Sequence, residues 1–173
     1  MSDASKYSAT ETLRAGQQVE IRALRPDDQA ALVAAVGRAS AQSLYRRFFG
    51  PRRNFTEQEI AFFVNVDFVN HVALVAVLDE GGQPVIAGGA RYIVVQPDQA
   101  EVAFVVVDRY QGQGLGTALM RHLALIARGA GVKELIADVL PDNASMLKVL
   151  ENSGFPISIK RETGVVHAAL QLS

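Results

Sequence analysis

Apolar residues recur at every second position in some stretches of the chain and at helical spacing in others. The alternation at residues 19–24 predicts a first strand, and apolar stretches at 72–78, 85–95 and 102–107 predict three strands joined by tight turns. Further strands are predicted at residues 134–140, 157–160 and 165–172. Three hairpin-linked strands that precede a strand–helix–strand unit indicate a mixed sheet rather than a doubly wound one.

Helical periodicity accounts for much of the chain between these strands. An alanine-rich pattern at 30–39, a short pattern at 42–49 and a capping box at 56–59 predict three helices before the second strand. A long helix is predicted at 115–130 and a shorter one at 143–152. The predicted fold class is α/β in the α+β sense: a mixed, mostly antiparallel sheet of six to seven strands, flanked by helices.

The composition narrows the class of protein. The chain has 173 residues, of which 49% are hydrophobic, and this balance is typical of one globular domain with a substantial core. A net charge of -1 gives no indication of a nucleic-acid or anionic-membrane partner. The absence of cysteine excludes disulfides, thiolate metal sites and a cysteine nucleophile.

The N-terminal residues differ from the rest of the chain. Residues 1–18 are polar and mixed in charge, which predicts a flexible arm rather than a signal peptide, followed by a single domain at 19–173. No apolar run reaches the length of a membrane span. We therefore expect a soluble protein of the cytoplasm.

A glycine-rich turn joins the apolar stretch at 102–107 to the long predicted helix. Its residues are Gln111, Gly112, Gln113, Gly114, Leu115 and Gly116. Glycines let a ligand approach the backbone closely, and the N–H groups at a helix N-terminus carry partial positive charge. Such a connection between strand and helix is suited to holding phosphate.

Other interpretations of this turn fit the sequence less well. A Rossmann fingerprint would place its third glycine at Thr117, and the turn would follow the first strand of a parallel unit. A Walker loop requires Gly-Lys-Ser/Thr, which does not occur in the chain. A tight connection without a ligand stays an alternative, although alternating glycines before a helix weaken local structure without an evident folding benefit.

The motif that opens the long helix resembles the signature of the GNAT N-acetyltransferase superfamily. Gln111, Gly114 and Gly116 match its Gln-x-x-Gly-x-Gly pattern. The family's downstream helix and strand are matched by Asn143, Met146, Gly154 and Phe155. Stretches similar to the acetyltransferase domain of bacterial protein-lysine acetyltransferases lie at 43–49, 66–67, 73–76 and 100–103. The resemblance covers about residues 19–172 and implies the GNAT fold and acetyl transfer from acetyl-CoA to an amine.

The resemblance also implies where acetyl-CoA lies. In the family the diphosphate rests on the loop amides, here at 113–117, and the pantetheine arm pairs like a strand with residues here numbered 104–106. The strand at 134–139 diverges to open the slot. Asn143 either contacts pantetheine or the thiolate, or only caps its helix. The candidate cofactor-binding residues are Phe104, Val105, Val106, Gln111, Gly112, Gln113, Gly114, Leu115, Gly116, Thr117 and Asn143.

Glu101 is the candidate general base. It is the only charged residue from 100 to 107, on a strand expected to be buried, and apolar surroundings raise a carboxyl pKa toward the range useful to a base. An amine must lose a proton before it attacks a thioester, and the matching glutamate has this role in the related lysine acetyltransferases. The alternative is a glutamate at the sheet edge that faces solvent or pairs with an arginine such as Arg91.

The residue that often acts as general acid in this superfamily is not present here. That tyrosine usually follows the family's asparagine by seven residues, and the position is occupied by Leu150. The resemblance therefore implies that the CoA thiolate leaves without a dedicated acid, since an ordinary thiol has a pKa of about 8.5. Tyr110 is near in sequence and is expected to pack under the loop.

The acceptor is the least determined part of the prediction. A protein lysine is expected, with direct attack of the amine on bound acetyl-CoA and with no metal. A small amine such as a polyamine, amino acid or drug is one alternative, and an acyl-CoA-binding regulatory module without turnover is another. A sheet edge near the C-terminal hairpin could pair with a second copy to form a homodimer.

Overall fold

An eight-stranded sheet forms the centre of the described part of the chain. The computed structural model describes residues 4–14, 16–28, 30–31, 66–107, 110, 114–139, 141 and 144–172. Apart from residues 30 and 31, the three helices predicted before the second strand lie outside these ranges.

The strands lie in the order β1-β2-β3-β4-β5-β6-β8-β7 across the sheet, where numbers follow the chain. Their bounds are β1 (Ser8–Thr12), β2 (Gln18–Ala23), β3 (His71–Glu80), β4 (Gln83–Gln96), β5 (Gln99–Val106), β6 (Glu134–Val139), β7 (Ile157–Glu162) and β8 (Val165–Gln171). Among these described strands β5 and β6 are parallel, and all other neighbours are antiparallel. The predicted mixed, mostly antiparallel sheet is confirmed.

Two helices and two short 3-10 turns complete the described elements. They are α1 (Leu115–Gly129), α2 (Ala144–Glu151) and the turns Ala4–Lys6 and Pro26–Asp28. Leu115, Leu119 and Leu123 recur at helical spacing on α1 and are at most 1% exposed, because this face packs on the sheet. None of the described helices is long and apolar enough to cross a membrane.

An N-terminal strand is present where the sequence predicts a flexible arm. β1 pairs with β2 from Ser8, opposite Arg22, to Thr12, opposite Gln18. Both faces of this edge strand are at least partly exposed, so it carries no hydrophobic alternation from which a strand could be predicted. The arm is thus corrected to a hairpin for these residues, and the sheet has eight strands rather than six to seven.

The two sheet edges are formed by β1 and β7. β7 belongs to the C-terminal hairpin, as the expected dimer contact requires. Five of its six residues, all except Ile157, are exposed. The dimer itself stays a prediction.

Candidate active site

β5 and β6 pair over three residues and then separate. The pairing joins residues 99–101 to residues 134–136, although β5 continues to Val106 and β6 to Val139. Paired strands lie about 4.8 Å apart, so the end of pairing marks the point at which the two backbones diverge. The result is a fork in the sheet with Glu101 at its closed end, which is the slot implied for the pantetheine arm.

The glycine turn ends in a left-handed residue at the start of α1. Gly114 has φ 89° and ψ 7°, and no side chain caps the helix at this position. An L side chain is strained in this conformation, which explains the glycine. The first-turn N–H groups of α1, at Leu115, Gly116 and Thr117, therefore have no side-chain cap from residue 114.

Gly116 is required by packing. A Cβ atom at this position would lie 3.2 Å from Val149 Cγ2, 3.7 Å from Val106 Cγ2 and 3.8 Å from Phe104 Cε2. The missing side chain lets α1 approach both β5 and α2 closely. The N-terminus of α1 is thereby held against the strand that forms one arm of the fork.

The structure brings together part of the predicted cofactor site. Phe104 and Leu115 are buried, whereas Val106 and Thr117 are partly buried. Val105 lies on β5, one residue from the end of the strand. The remaining candidates, Gln111, Gly112, Gln113 and Asn143, lie outside the described residues.

Two further expectations concern residues near the turn. Tyr110 is buried, as predicted, and its hydroxyl donates a hydrogen bond to the Glu80 carboxylate. Leu150, at the position of the superfamily's usual tyrosine, is 1% exposed and belongs to the core beside α1. The side chain at this position therefore contributes packing and no acid.

Glu101 is buried on a central strand. It is 3% exposed, with Ile93 of β4 on one side and Ile136 of β6 on the other. A solvent-facing glutamate at the sheet edge is therefore excluded. Arg91 pairs with Ala103, two residues from Glu101, so its guanidinium belongs to the same face of the sheet at a diagonal position.

A buried histidine–arginine contact shares this face. Arg91 Nη1 lies 2.9 Å from His71 Nε2, and both residues are buried. Burial lowers the pKa of Arg91 to about 9. Burial, and then the charge of Arg91, lowers the pKa of His71 to about 4. At neutral pH Arg91 is therefore charged and donates to a neutral His71, whose Nε2 is the acceptor.

An open groove begins next to Glu101 on the same face. Its volume is about 260 Å³, and its walls come from β6, β7 and β8. Ile136, the register partner of Glu101, forms the near wall. Other residues that line the groove are Asp138, Ser158, Lys160, His167 and Ala169.

The polar lining of the groove includes His167, which lies between the carboxylates of Asp138 and Glu162. His167 Nδ1 lies 2.6 Å from Asp138 Oδ1, and its Nε2 lies 3.3 Å from Glu162 Oε2. The hydrogen bond with Asp138, followed by that with Glu162, raises the pKa of His167. The groove thus presents mixed charge on a solvent-accessible sheet surface, and no closed anionic pocket is formed by its described residues.

Comparison with known proteins gives the class of this site. The model of the Acetyltransferase (GNAT) family matches residues 38–155. The chain is 33% identical to acetyltransferase Pat of Mycolicibacterium smegmatis over 156 residues, which are 89% of this chain and 46% of Pat. It is 30% identical to acetyltransferase PA5475 of Pseudomonas aeruginosa over 146 residues, which are 84% of this chain and 78% of that protein. The crystal structure of the GNAT domain of S. lividans PAT superposes with a TM-score of 0.82 at 34% identity, covering 95% of this chain and 96% of that one.

These matches define an acetyltransferase domain that uses acetyl-CoA as co-substrate. The chain belongs to the GNAT acetyltransferase family. The resemblance seen in the sequence is thereby confirmed at the level of fold, family and cofactor. The chain spans less than half the length of Pat, at 46%, so the activity and partners of a whole protein of that length do not carry over to it.

Proposed function

We propose that this domain transfers the acetyl group of acetyl-CoA to the ε-amino group of a protein lysine, with Glu101 as general base. The observation that carries the proposal is the position of Glu101. It lies at the closed end of the fork between β5 and β6, and its register partner Ile136 lines the open groove. A thioester held in the fork and an amine entering along the groove would meet beside this carboxylate.

The fork and the start of α1 fit acetyl-CoA. An uncapped helix N-terminus behind a left-handed glycine is suited to a diphosphate, and an open strand edge is suited to the amide-rich pantetheine arm. In this proposal the amides at 113–117 hold the diphosphate, and the backbone at 104–106 holds the arm. Gln111 braces the turn, and Asn143 contacts pantetheine or the thiolate. Bound acetyl-CoA supplies the electrophilic thioester carbonyl.

Deprotonation of the incoming lysine requires one proton acceptor from the chain. Lysine arrives as an ammonium ion with a pKa of about 10.4, so it must lose a proton before its lone pair can attack. Glu101 takes this proton, directly or through one water, and the amine forms the new C–N bond as the C–S bond breaks. The electron pair of the broken bond leaves on the thiolate of CoA, with no acid from the position of Leu150. The second proton that the nitrogen loses on becoming an amide goes to this thiolate or to solvent.

The form of the groove favours a protein acceptor. A small cationic amine is best held by a closed pocket with several carboxylates, because burial strengthens the attraction. Here the carboxylates of Asp138 and Glu162 are each engaged by His167 on an accessible surface. An extended peptide can lie along such a groove, with its lysine reaching toward Glu101.

The acceptor class is tested by supplying all candidate acceptors together. The protein is incubated with isotopically labelled acetyl-CoA and a cell lysate, and peptides and small metabolites are analysed by mass spectrometry. We expect label on lysine side chains of proteins. Label confined to polyamines, amino acids or drugs contradicts the protein acceptor, and absence of label in both fractions favours a regulatory module that binds acyl-CoA without turnover.

Replacing Gly114 by alanine is expected to weaken acetyl-CoA binding about tenfold, because an L residue in the left-handed region costs about 1–2 kcal/mol and the turn shifts to relieve it. The shift moves the amides that hold the diphosphate. Isothermal titration calorimetry gives the affinity. Gly131→Ala is the matched control, since Gly131 has φ 91° at the other end of α1. Equal affinities for wild type and Gly114→Ala would contradict a diphosphate site at this turn.

A further inference from the structure

The turn between β1 and β2 brings an arginine to the N-terminus of α1. A Cβ atom built on Gly114 would lie 3.9 Å from Arg14 Nε, which is van der Waals contact. The guanidinium therefore lies in front of the left-handed residue that precedes the helix. This contact joins the N-terminal hairpin to the glycine turn.

The position of Arg14 is determined by its neighbours in the hairpin. Leu13 is 5% exposed, its N–H donates to the Gln17 carbonyl at 2.8 Å, and its own carbonyl accepts from the Gly16 N–H at 2.9 Å. A buried side chain and two backbone hydrogen bonds hold this turn in place. Arg14 is the residue next to the buried anchor.

The hairpin is also attached to α1 directly. Tyr7 hydrogen-bonds His122 through its hydroxyl, and Glu11 Oε1 lies 2.7 Å from His122 Nε2. The same Glu11 oxygen accepts a hydrogen bond from Arg121. His122 and Arg121 belong to the second turn of α1, so these contacts orient the hairpin on the helix whose N-terminus Arg14 approaches.

The charge of Arg14 is not balanced by the hairpin. Within the part of the chain that the structure describes, no carboxylate forms an ion pair with Arg14, and Glu11 is already engaged by Arg121 and His122. A cation beside a helix N-terminus is disfavoured, because that end of the helix carries about half a positive charge. Two positive features placed together are compatible with an anion between them.

We propose that Arg14 binds the diphosphate of acetyl-CoA. This inference rests on the proposed function, in which the diphosphate lies at the Gly114 turn. A guanidinium presents a planar set of donors that matches phosphate oxygens and can bind two of them at once. The N-terminal hairpin is then part of the cofactor site, and its second role is to carry this arginine.

The test is the affinity of the Arg14→Ala variant for CoA compounds. Loss of a charge-assisted contact on an accessible surface is expected to raise the Kd of acetyl-CoA about tenfold in isothermal titration calorimetry. Dephospho-CoA keeps the diphosphate and lacks the 3′-phosphate. Its Kd is expected to be raised by the same factor in Arg14→Ala. The difference between wild type and variant is expected to shrink as salt is raised. Arg14→Lys, which keeps the charge without the planar donors, is expected to lie between the two.

Arg128→Ala is the matched control, because Arg128 is an exposed arginine in the last turn of the same helix. Its Kd is expected to equal that of wild type. If wild type binds acetyl-CoA and Arg14→Ala binds it equally well, the inference is wrong while the proposed function stands. If Arg14→Ala loses affinity for acetyl-CoA but not for dephospho-CoA, Arg14 contacts the 3′-phosphate. The inferred contact with the diphosphate is then wrong.

Failure of the proposed function has a different signature. In that case labelled acetyl-CoA leaves no label on protein lysines, whereas the Kd values of wild type and Arg14→Ala for acetyl-CoA still differ. If Arg14→Ala lowers the melting temperature, the Kd of Arg14→Gln is measured instead, because glutamine keeps a polar side chain without the charge. A Kd for Arg14→Gln equal to that of wild type would then overturn the inference.

Discussion

Replacing Glu101 by glutamine is expected to lower kcat by about 100-fold, the contribution of a well-placed general base, and to leave the Kd of acetyl-CoA unchanged. Glutamine has the same shape as glutamate but cannot take the proton of the incoming ammonium. Because Glu101 is 3% exposed, an isosteric change avoids the cavity that alanine would leave. Initial rates with a lysine peptide and calorimetry with acetyl-CoA give the two quantities.

The pH dependence separates loss of a base from loss of packing. Without Glu101, the reaction depends on the fraction of amine that solvent has deprotonated, which rises about tenfold per pH unit below the lysine pKa of about 10.4. The variant is therefore expected to regain activity steadily from pH 7 to pH 9. Glu20→Gln is the control, since Glu20 lies on β2 and accepts a hydrogen bond from Ser8 Oγ at 2.8 Å, far from the fork. Equal rates for wild type and Glu101→Gln would remove Glu101 from the mechanism.

Acidification is expected to destabilise the domain through His71. Its pKa is about 4 in the folded protein and 6.5 when unfolded, so the unfolded state binds more protons between these values. The stability that depends on neutral His71 is fully present above pH 6.5 and is lost as the pH falls toward 4. A shift of this size corresponds to about 3 kcal/mol of unfolding free energy as an upper limit.

Urea unfolding at pH 6.5, 5.5 and 4.5 measures this loss. The loss is compared with that of His71→Gln, which retains an acceptor for Arg91 but does not titrate. The stability that both proteins lose as their carboxylates are protonated then cancels in the difference. His167→Gln is a control of opposite sign, because the raised pKa of His167 makes its contribution largest at low pH. If wild type and His71→Gln lose stability in parallel, the prediction is wrong.

The glycine turn shows how much of the site local sequence can determine. Alternating glycines between an apolar stretch and a helical pattern predict a strand, a turn and a helix, and the structure has β5 ending at Val106 and α1 beginning at Leu115. Gly114 takes a left-handed φ of 89°, a conformation that depends mainly on the residue itself. Gly116 is different, since its need for glycine comes from Val149 on another helix.

Glu101 shows the limit of the same reasoning. A single charge in an apolar stretch predicts a buried carboxylate, and its burial is confirmed. Its place at the closed end of the fork depends on where pairing with β6 stops, and β6 begins more than thirty residues later in the chain. Its nearness to Arg91 likewise comes from the register between β4 and β5.

The N-terminal segment forms a hairpin where the sequence predicts a flexible arm, and the difference has a physical reason. An edge strand with two accessible faces has no apolar alternation, so Ser8–Thr12 reads as a polar arm. It pairs with β2 nearby in the chain, but its contacts with His122 join residues more than a hundred positions apart. No local pattern carries such information.

The sequence by itself determined the strands and helices that bury one apolar face, the left-handed glycine turn and the family, because each depends on neighbouring residues or on a short motif. The tertiary structure decided the fork, the groove beside Glu101, the contact between Arg91 and His71, and the approach of Arg14 to Gly114. These features arise where distant strands and helices meet. Their geometry depends on register and packing between elements, which hydrophobic periodicity along the chain does not specify.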